Sequence, residues 1–394
     1  MKLKEEERGK RILSPFKIAL AFAAAKLLKN RSGKPIVLVG GNLGEKYEDN
    51  ASVLHQYLNK QYADTMEVYW LYDPKTNYAE EQGIRNALAL GSFRNYFLFF
   101  QADYSFHGHS IRYDLAPSAH KFLFLNTKTV MTHVSHGIEG FKKILIQKED
   151  VPLLKRTDFF NCASQFEMRI KRDEWKIPQE KLIVTGFPRF DRYTANQPAP
   201  HVKKVLAMMT WREWLMESDS REFEKSDYFV HTSELLKHAG IQELLESQNM
   251  QVTVALHPFM QRFESHFNEI TSERVHFIGF DQLSISQAIE ENDMLLTDIT
   301  SVSWDFLYLN KPIIFYLFDQ EDWEKKRGIY MDLNKDLYGY KAKTVEEVYE
   351  FLKEIAVEGV NFNKWYSMAP QFIDFFDQNN CKRLTERVFG KKNQ

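Results

Sequence analysis

From residue 35 onward the chain alternates short β-rich runs with helical stretches, and no other feature constrains its fold as strongly. The candidate strands of the first half are residues 36–39, 67–71, 104–107, 130–133, 159–163 and 181–185, with helix-like stretches such as 51–60 and 165–175 between them. The second half continues with candidate strands 205–208, 252–256, 276–278, 294–297 and 313–316, and helical stretches 232–246, 283–290, 303–309 and 345–357. Strands alternating with helices predict parallel sheets covered on both faces. A short Pro-rich polar stretch, residues 195–200, reads as a linker. The expected architecture is α/β: two doubly wound, Rossmann-like parallel-sheet domains, residues 35–197 and 198–394, facing each other across a cleft. A chain of 394 residues is long enough for two such domains.

Charge and cysteine content exclude several classes. The net charge is -2 and the isoelectric point about 6.7, which is not the profile of a broad nucleic-acid binder. Two cysteines, Cys162 and Cys381, exclude a disulfide framework and a cysteine-rich zinc site. The charge is unevenly spread. Residues 1–34 hold ten Lys or Arg against three Glu, about +7, so the remainder is near -9. Within that segment residues 16–28 are mostly apolar, but the run falls short of the roughly 20 residues of a spanning helix and is interrupted by Lys17 and Lys26. The small-residue cleavage site of a secretory signal is missing. The expectation for residues 1–34 is an amphipathic helix on a membrane surface, with basic side chains at anionic head groups. The plainer alternative is a helix packed on the protein's own surface.

In open parallel sheets, ligands bind beyond the carboxyl ends of the strands. Five segments at such positions carry useful chemistry. After 130–133 comes Ser135-His136-Gly137, followed by Lys142 and Lys143: an imidazole that can accept a proton, a glycine that admits close approach, and lysines that can meet phosphate. After 181–185 comes Gly186-Phe187-Pro188-Arg189-Phe190-Asp191, where Arg189 either grips a phosphate or pairs with Asp191 as a clasp. Thr210-Trp211-Arg212 follows 205–208, and His257-Pro258 follows 252–256. After 294–297, Thr300 and Ser301 are expected to cap a helix whose first amides form a phosphate site, with Asp305 one turn further on. The Gly-x-Gly-x-x-Gly fingerprint, the Walker loop, the Gly-x-Ser-x-Gly elbow, the His-Glu-x-x-His pair and the Asp-x-Asp metal motif are all missing, which removes redox, ATP-driven and metalloprotease readings.

Taken in order, His136-Gly137 with its following lysine, Gly186 to Asp191, Thr210-Trp211-Arg212, His257-Pro258, Thr297-Asp298-Ile299-Thr300-Ser301, Asp305 and Lys311 to Asp319 resemble the CDP-glycerol glycerophosphotransferases of teichoic acid synthesis. Tyr47-Glu48-Asp49-Asn50 and Arg327-Gly328-Ile329-Tyr330-Met331-Asp332 resemble two further motifs of that family, so the likeness spans roughly residues 35–390. Ser135 stands where the family has Trp, Thr300 where it has the first of two serines, and Ala255 where a basic residue is frequent.

The resemblance implies a GT-B-type fold attached peripherally to the cytoplasmic side of the cell membrane. It implies transfer of glycerol phosphate or ribitol phosphate from a CDP-alditol to a hydroxyl of a lipid-linked glycan or teichoic acid chain, with release of CMP. His136, as general base, and His257 would be catalytic. Gly137, Lys142, Arg189, Thr210, Trp211, Arg212, Thr300, Ser301 and Asp305 would bind the donor. The implied partners are CDP-glycerol or CDP-ribitol, an undecaprenyl-diphosphate-linked acceptor and the membrane surface, with no nucleic acid. No carboxylate cluster demands a metal, and no cofactor is expected. The rival readings are a GT-B glycosyltransferase using a nucleotide sugar, and an inactive partner in a wall-synthesis complex.

Overall fold

A computed structural model of the chain describes residues 15–28, 30, 32–193, 200–257, 259–270, 272–279, 284–361 and 363–391. The expected linker lies outside the described residues except for Pro200, as do residues 1–14, Pro258 and Leu283. The chain forms two compact units.

The first unit holds a seven-stranded sheet: β1 Ile36–Gly40, β2 Glu67–Tyr72, β3 Ala87–Ala89, β4 Tyr104–His107, β5 Val130–His133, β6 Phe159–Cys162 and β7 Leu182–Val184. Every pairing is parallel, in the order β3-β2-β1-β4-β5-β6-β7. The second unit repeats this design with β8 Lys204–Met208, β9 Gln251–Leu256, β10 Val275–Gly279, β11 Met294–Thr297, β12 Ile313–Tyr316 and β13 Tyr340–Ala342. Its order is β10-β9-β8-β11-β12-β13, again all parallel. In each sheet the order reverses beside the first strand, which puts the strand-end loops on either side of a switch point. Central strands such as β1 are buried along their whole length, because helices cover both faces.

Two three-residue edge strands, β3 and β13, escape the sequence reading. The stretch 232–246, expected as one helix, is two, Asp227–Lys237 and Ala239–Ser247. The break is at His238, which leaves the helical region and caps the second helix through its ring, accepting from the Ile241 N–H.

Two segments cross the expected division at 197/198. Gly137–Ile144 belongs to the second unit, and the residues from Asp377 onward belong to the first. Aromatic packing fixes the former: the Phe141 ring sits 5.2 Å from Trp304, 6.0 Å from Phe315 and 6.1 Å from Tyr338. The Tyr330 N–H also donates to the Phe141 carbonyl and the Lys143 N–H to the Gly328 carbonyl. The terminal helix Asn380–Gly390 buries Cys381, Leu384 and Val388 among core residues of the first unit, including Val37, Trp70 and Phe106. Burial of Leu384 and Val388 stabilises that docking by about 1.5–3 kcal/mol each. Asp191 accepts the N–H groups of Asn380 and Cys381 at the start of this helix. Gly186, at φ +77°, is required there, since a β-carbon would overlap the Asn380 side chain.

Of the segment 1–34 expected to form an amphipathic helix, Pro15–Leu27 is a helix and residues 1–14 lie outside the described residues. Ile18 and Ala21 are buried against Phe93–Gln101, Phe22 meets Phe100 edge-to-face, and the Lys17 ammonium donates to the Gly91 carbonyl. Phe16, Leu20 and Leu27 are exposed, so apolar side chains lie on more than one side rather than along a single stripe. Among the described residues no helix is long and apolar enough to cross a membrane.

Candidate active site

In the first unit the chemistry gathers where β4, β5 and β7 end. β4 and β5 pair in register, His107 opposite His133, so the residues just beyond them are neighbours too. His107 and His133 are buried with their rings 5.4 Å apart. Burial lowers the His107 pKa to about 3 and, with neighbouring imidazoles and Lys171 adding to it, takes His133 well below the usual value, so both stay neutral. One step outward His136 is exposed, and its ring lies flat on His109 at 4.6 Å and 8°.

The loop carrying His136 is clamped from below. Arg189 donates to the His136 carbonyl at 2.6 Å and pairs with Asp49 at 2.8 Å. Asn50 donates to the Ser135 carbonyl and accepts the Arg189 N–H. Asp49 holds φ +69°, a left-handed conformation that costs a non-glycine residue energy and is found where function or tight geometry requires it. The Ser135 hydroxyl accepts from Lys171 at 2.7 Å, and fully buried Lys171 pairs with fully buried Glu167 at 3.0 Å.

This corrects the expectation for Arg189. Its partner is Asp49, 140 residues away, not Asp191, which caps the terminal helix. Being 7% exposed, Arg189 spends its guanidinium on the protein's own chain instead of presenting it to a phosphate.

In the second unit, Thr210 and Arg212 point inward. The Thr210 N–H and hydroxyl both donate to Asp298, and Arg212 bridges Asp298 at 2.6 Å and Asp319 at 2.7 Å. With 1% exposure and rings of Tyr228, Phe318 and Trp323 about its Cζ, Arg212 has no face left for a ligand. Asp305 is likewise 1% exposed and accepts from Tyr193 at 2.7 Å.

Half-buried Trp211, between these two inward residues, stacks on His257 at 5.4 Å and lies 4.7 Å from Phe259. His257 accepts the Phe259 N–H at Nδ1, which places its proton on Nε2. Burial lowers its pKa to about 3, with Lys142 contributing, so His257 can donate a hydrogen bond without carrying charge. Lys142 is half-buried, 6.0 Å from the Trp323 ring, and burial lowers its pKa.

The phosphate site expected at the amides of a helix capped by Thr300 and Ser301 does not form. The helix is Ser303–Tyr308, with no side-chain cap. The N–H groups of Ser303, Trp304 and Asp305 turn back onto the carbonyls of Thr300, Ser301 and Val302, which satisfies them. Thr300 and Ser301 keep partly exposed positions in the preceding turn, and a β-carbon on Gly137 would come within 3.0 Å of the Ser301 hydroxyl oxygen. His136 is the residue immediately before that glycine.

His109, Asp114, Asp298, Asp319 and Lys171 went unassigned in the sequence. His107-Gly108-His109 satisfied the rule that singled out His136, an imidazole just past a strand, and Asp298 stood beside Thr297 in a quoted motif. Among the described residues no group of three His, Cys, Asp or Glu side chains is arranged to hold a metal ion.

Residues 22–390 match the family model described as CDP-Glycerol:Poly(glycerophosphate) glycerophosphotransferase. The chain belongs to this family. Similar glycerophosphotransferase relatives include the teichoic acid poly(glycerol phosphate) polymerase of Bacillus subtilis (strain 168), 22% identical over 97% of this chain and 51% of that protein. Another is the teichoic acid ribitol-phosphate polymerase TarK of Staphylococcus aureus (strain NCTC 8325 / PS 47), 21% identical over 94% of this chain and 71% of the relative. The chain spans 29%, 33% and 60% of the length of three further curated relatives. Among solved structures, the wall teichoic acid polymerase TagF aligns with a TM-score of 0.65 at 16% identity, over 99% of this chain and 97% of that one. A UDP-GlcNAc 2-epimerase from Methanocaldococcus jannaschii aligns at 0.54 and 13% identity, over 90% of this chain and 99% of that one. These likenesses establish a shared fold of two parallel-sheet α/β units.

Proposed function

We propose that this glycerophosphotransferase moves glycerol phosphate or ribitol phosphate from a CDP-alditol to a hydroxyl of a lipid-linked glycan or teichoic acid chain. The observation that carries the reading is His136, an exposed imidazole on a loop clamped by Arg189, Asn50 and Lys171. The acceptor hydroxyl gives its proton to His136, and its oxygen bonds to the β-phosphorus. The bond from that phosphorus to the bridging oxygen breaks, and CMP leaves. A general base of this kind supplies about 10²–10⁴-fold. Trp211, already stacked on His257, offers a flat surface for the cytosine ring. His257 Nε2–H, Lys142 and the hydroxyls of Thr300 and Ser301 meet the phosphates. Such a division of labour suits phosphoryl transfer, which depends mostly on positioning and electrostatics.

The TagF structure soaked with CDPG supports a CDP-glycerol donor by family likeness, and the ribitol-phosphate polymerases among the relatives keep CDP-ribitol in the reading. Exposed Phe16, Leu20 and Leu27, with the basic excess of residues 1–34, support peripheral attachment at the cytoplasmic face of the membrane. The test is CMP release from each CDP-alditol with a lipid-diphosphate disaccharide acceptor. One donor should turn over, and His136→Ala should lower kcat at least about a hundredfold. Inertness to both donors with turnover of a nucleotide sugar would overturn the proposal in favour of glycosyl transfer.

A further inference from the structure

His109 stands in the first-unit site without an assigned role, and its surroundings give it one. Its main-chain N–H donates to Asp114 Oδ2 at 2.5 Å, and the same carboxylate takes the N–H groups of Ser110 at 3.0 Å and Leu43 at 3.0 Å. Asp114 is fully buried, and its loop lies so close to the end of β1 that a β-carbon on Gly40 would overlap the Asp114 carbonyl. The base of His109 is therefore fixed within its own loop, residues 109–114, and against the end of β1 at residues 40–43. Its ring nitrogen Nδ1 is buried 3.9 Å from Asp114 and makes no hydrogen bond. What the ring presents is its flat face, 4.6 Å from His136 and 8° from parallel.

We propose that His109 is a positioning residue for His136: a rigid platform that holds the exposed imidazole in one orientation, so that its proton-accepting edge stays aimed at the acceptor hydroxyl. This rests on the reading of His136 as the base. An exposed ring on a loop has several rotamers, and a flat partner fixed to the sheet selects one of them. Restricting a base to its reactive orientation raises kcat and leaves donor affinity alone.

The experiment compares wild type, His109→Phe, His109→Ala and His136→Ala in the full chain. Phenylalanine keeps the flat face and loses the nitrogens, whereas alanine loses both. The first readout does not need turnover. In protein labelled at histidine Cε1, the His136 signal is identified by its loss in His136→Ala. Its ring-current displacement should persist in His109→Phe and vanish in His109→Ala. The second readout is kinetic. His109→Phe should keep kcat within about threefold, while His109→Ala should lose about tenfold or more in kcat with donor KM unchanged. A folded His109→Ala protein with unchanged kcat and unchanged His136 signal overturns the proposal. So does equal impairment of folded His109→Phe and His109→Ala. Activity lost in His109→Ala but also retained in His136→Ala would instead overturn the base assignment. Failure of wild type with every CDP-alditol would overturn the functional reading, while the resonance measurement still decides the stack.

Discussion

Replacing Arg212 by methionine probes what holds the second-unit site in shape. The guanidinium is 1% exposed, with Nη1 2.6 Å from Asp298 and Nε and Nη2 2.7 and 2.9 Å from Asp319. It ties the end of β8 to the ends of β11 and β12, and through Thr210 it fixes the base of the Trp211 loop. Methionine fills most of the space left by the stem, so repacking costs less than about 1.5 kcal/mol. The larger loss is electrostatic: two buried carboxylates lose their countercharge, and breaking such a pair costs about 3–5 kcal/mol. Burial outweighs the guanidinium and holds the Asp319 carboxyl above the usual carboxylate range even in the wild type. Without Arg212 it should rise further. A carboxyl whose pKa is higher folded than unfolded contributes stability that is present at low pH and lost as pH rises through the folded value. The deficit of Arg212→Met should therefore be larger at pH 8 than at pH 5. Urea unfolding followed by tryptophan fluorescence reads it, since Trp211, Trp214, Trp304, Trp323 and Trp365 all lie in the second unit. Arg212→Met combined with Asp298→Asn and Asp319→Asn should recover part of the loss, because amides need no countercharge. A deficit below about 1 kcal/mol, or one that does not change between pH 5 and pH 8, would refute the reasoning.

Two further outcomes follow from the same geometry. Trp211→Ala should raise donor KM about tenfold, in line with about 1–3 kcal/mol for base–aromatic stacking, and calorimetry with CDP alone should show the same weakening. Lys171→Met should destabilise the first unit by about 3–5 kcal/mol, and adding Glu167→Leu should restore much of that stability. Because Ser135 still lacks its donor, kcat in the double variant should stay low; recovery of stability and kcat together would show that Lys171 does nothing for the His136 loop.

The sheets were legible because their buried strands are short, apolar and punctuated by helices, a pattern that survives any detail of packing. Ala87–Ala89 and Tyr340–Ala342 were not, because three-residue edge strands pair on one side only and carry too little apolar sequence to register. His136 and His257 stand out because an imidazole just past a parallel strand lies where such sheets bind ligands. Arg189 and Arg212 occupy the same kind of position, and the structure turns both onto carboxylates. A sequence states that a cation follows a strand, but whether it faces outward depends on carboxylates supplied by other strands. Asp49 lies 140 positions from Arg189, and Asp298 and Asp319 lie 86 and 107 positions from Arg212. Nothing local encodes those pairings.

The strand-end arginines are spent on holding loops: Arg189 beneath His136, Arg212 beneath Trp211. The candidate site groups left partly exposed at the strand ends of the second unit are mostly neutral: His257 with its depressed pKa, the hydroxyls of Thr300 and Ser301, and Trp211, with Lys142 as the nearby cation. In the reaction proposed above, neutral donors fixed by a buried charged framework would not need to reorganise as charge shifts to the departing CMP, and preorganised dipoles of this kind stabilise a developing charge without holding the product tightly. A site lined by free guanidinium groups would grip a pyrophosphate more strongly, but it would grip donor and leaving group alike, and uniform binding of that sort does not lower the barrier between them.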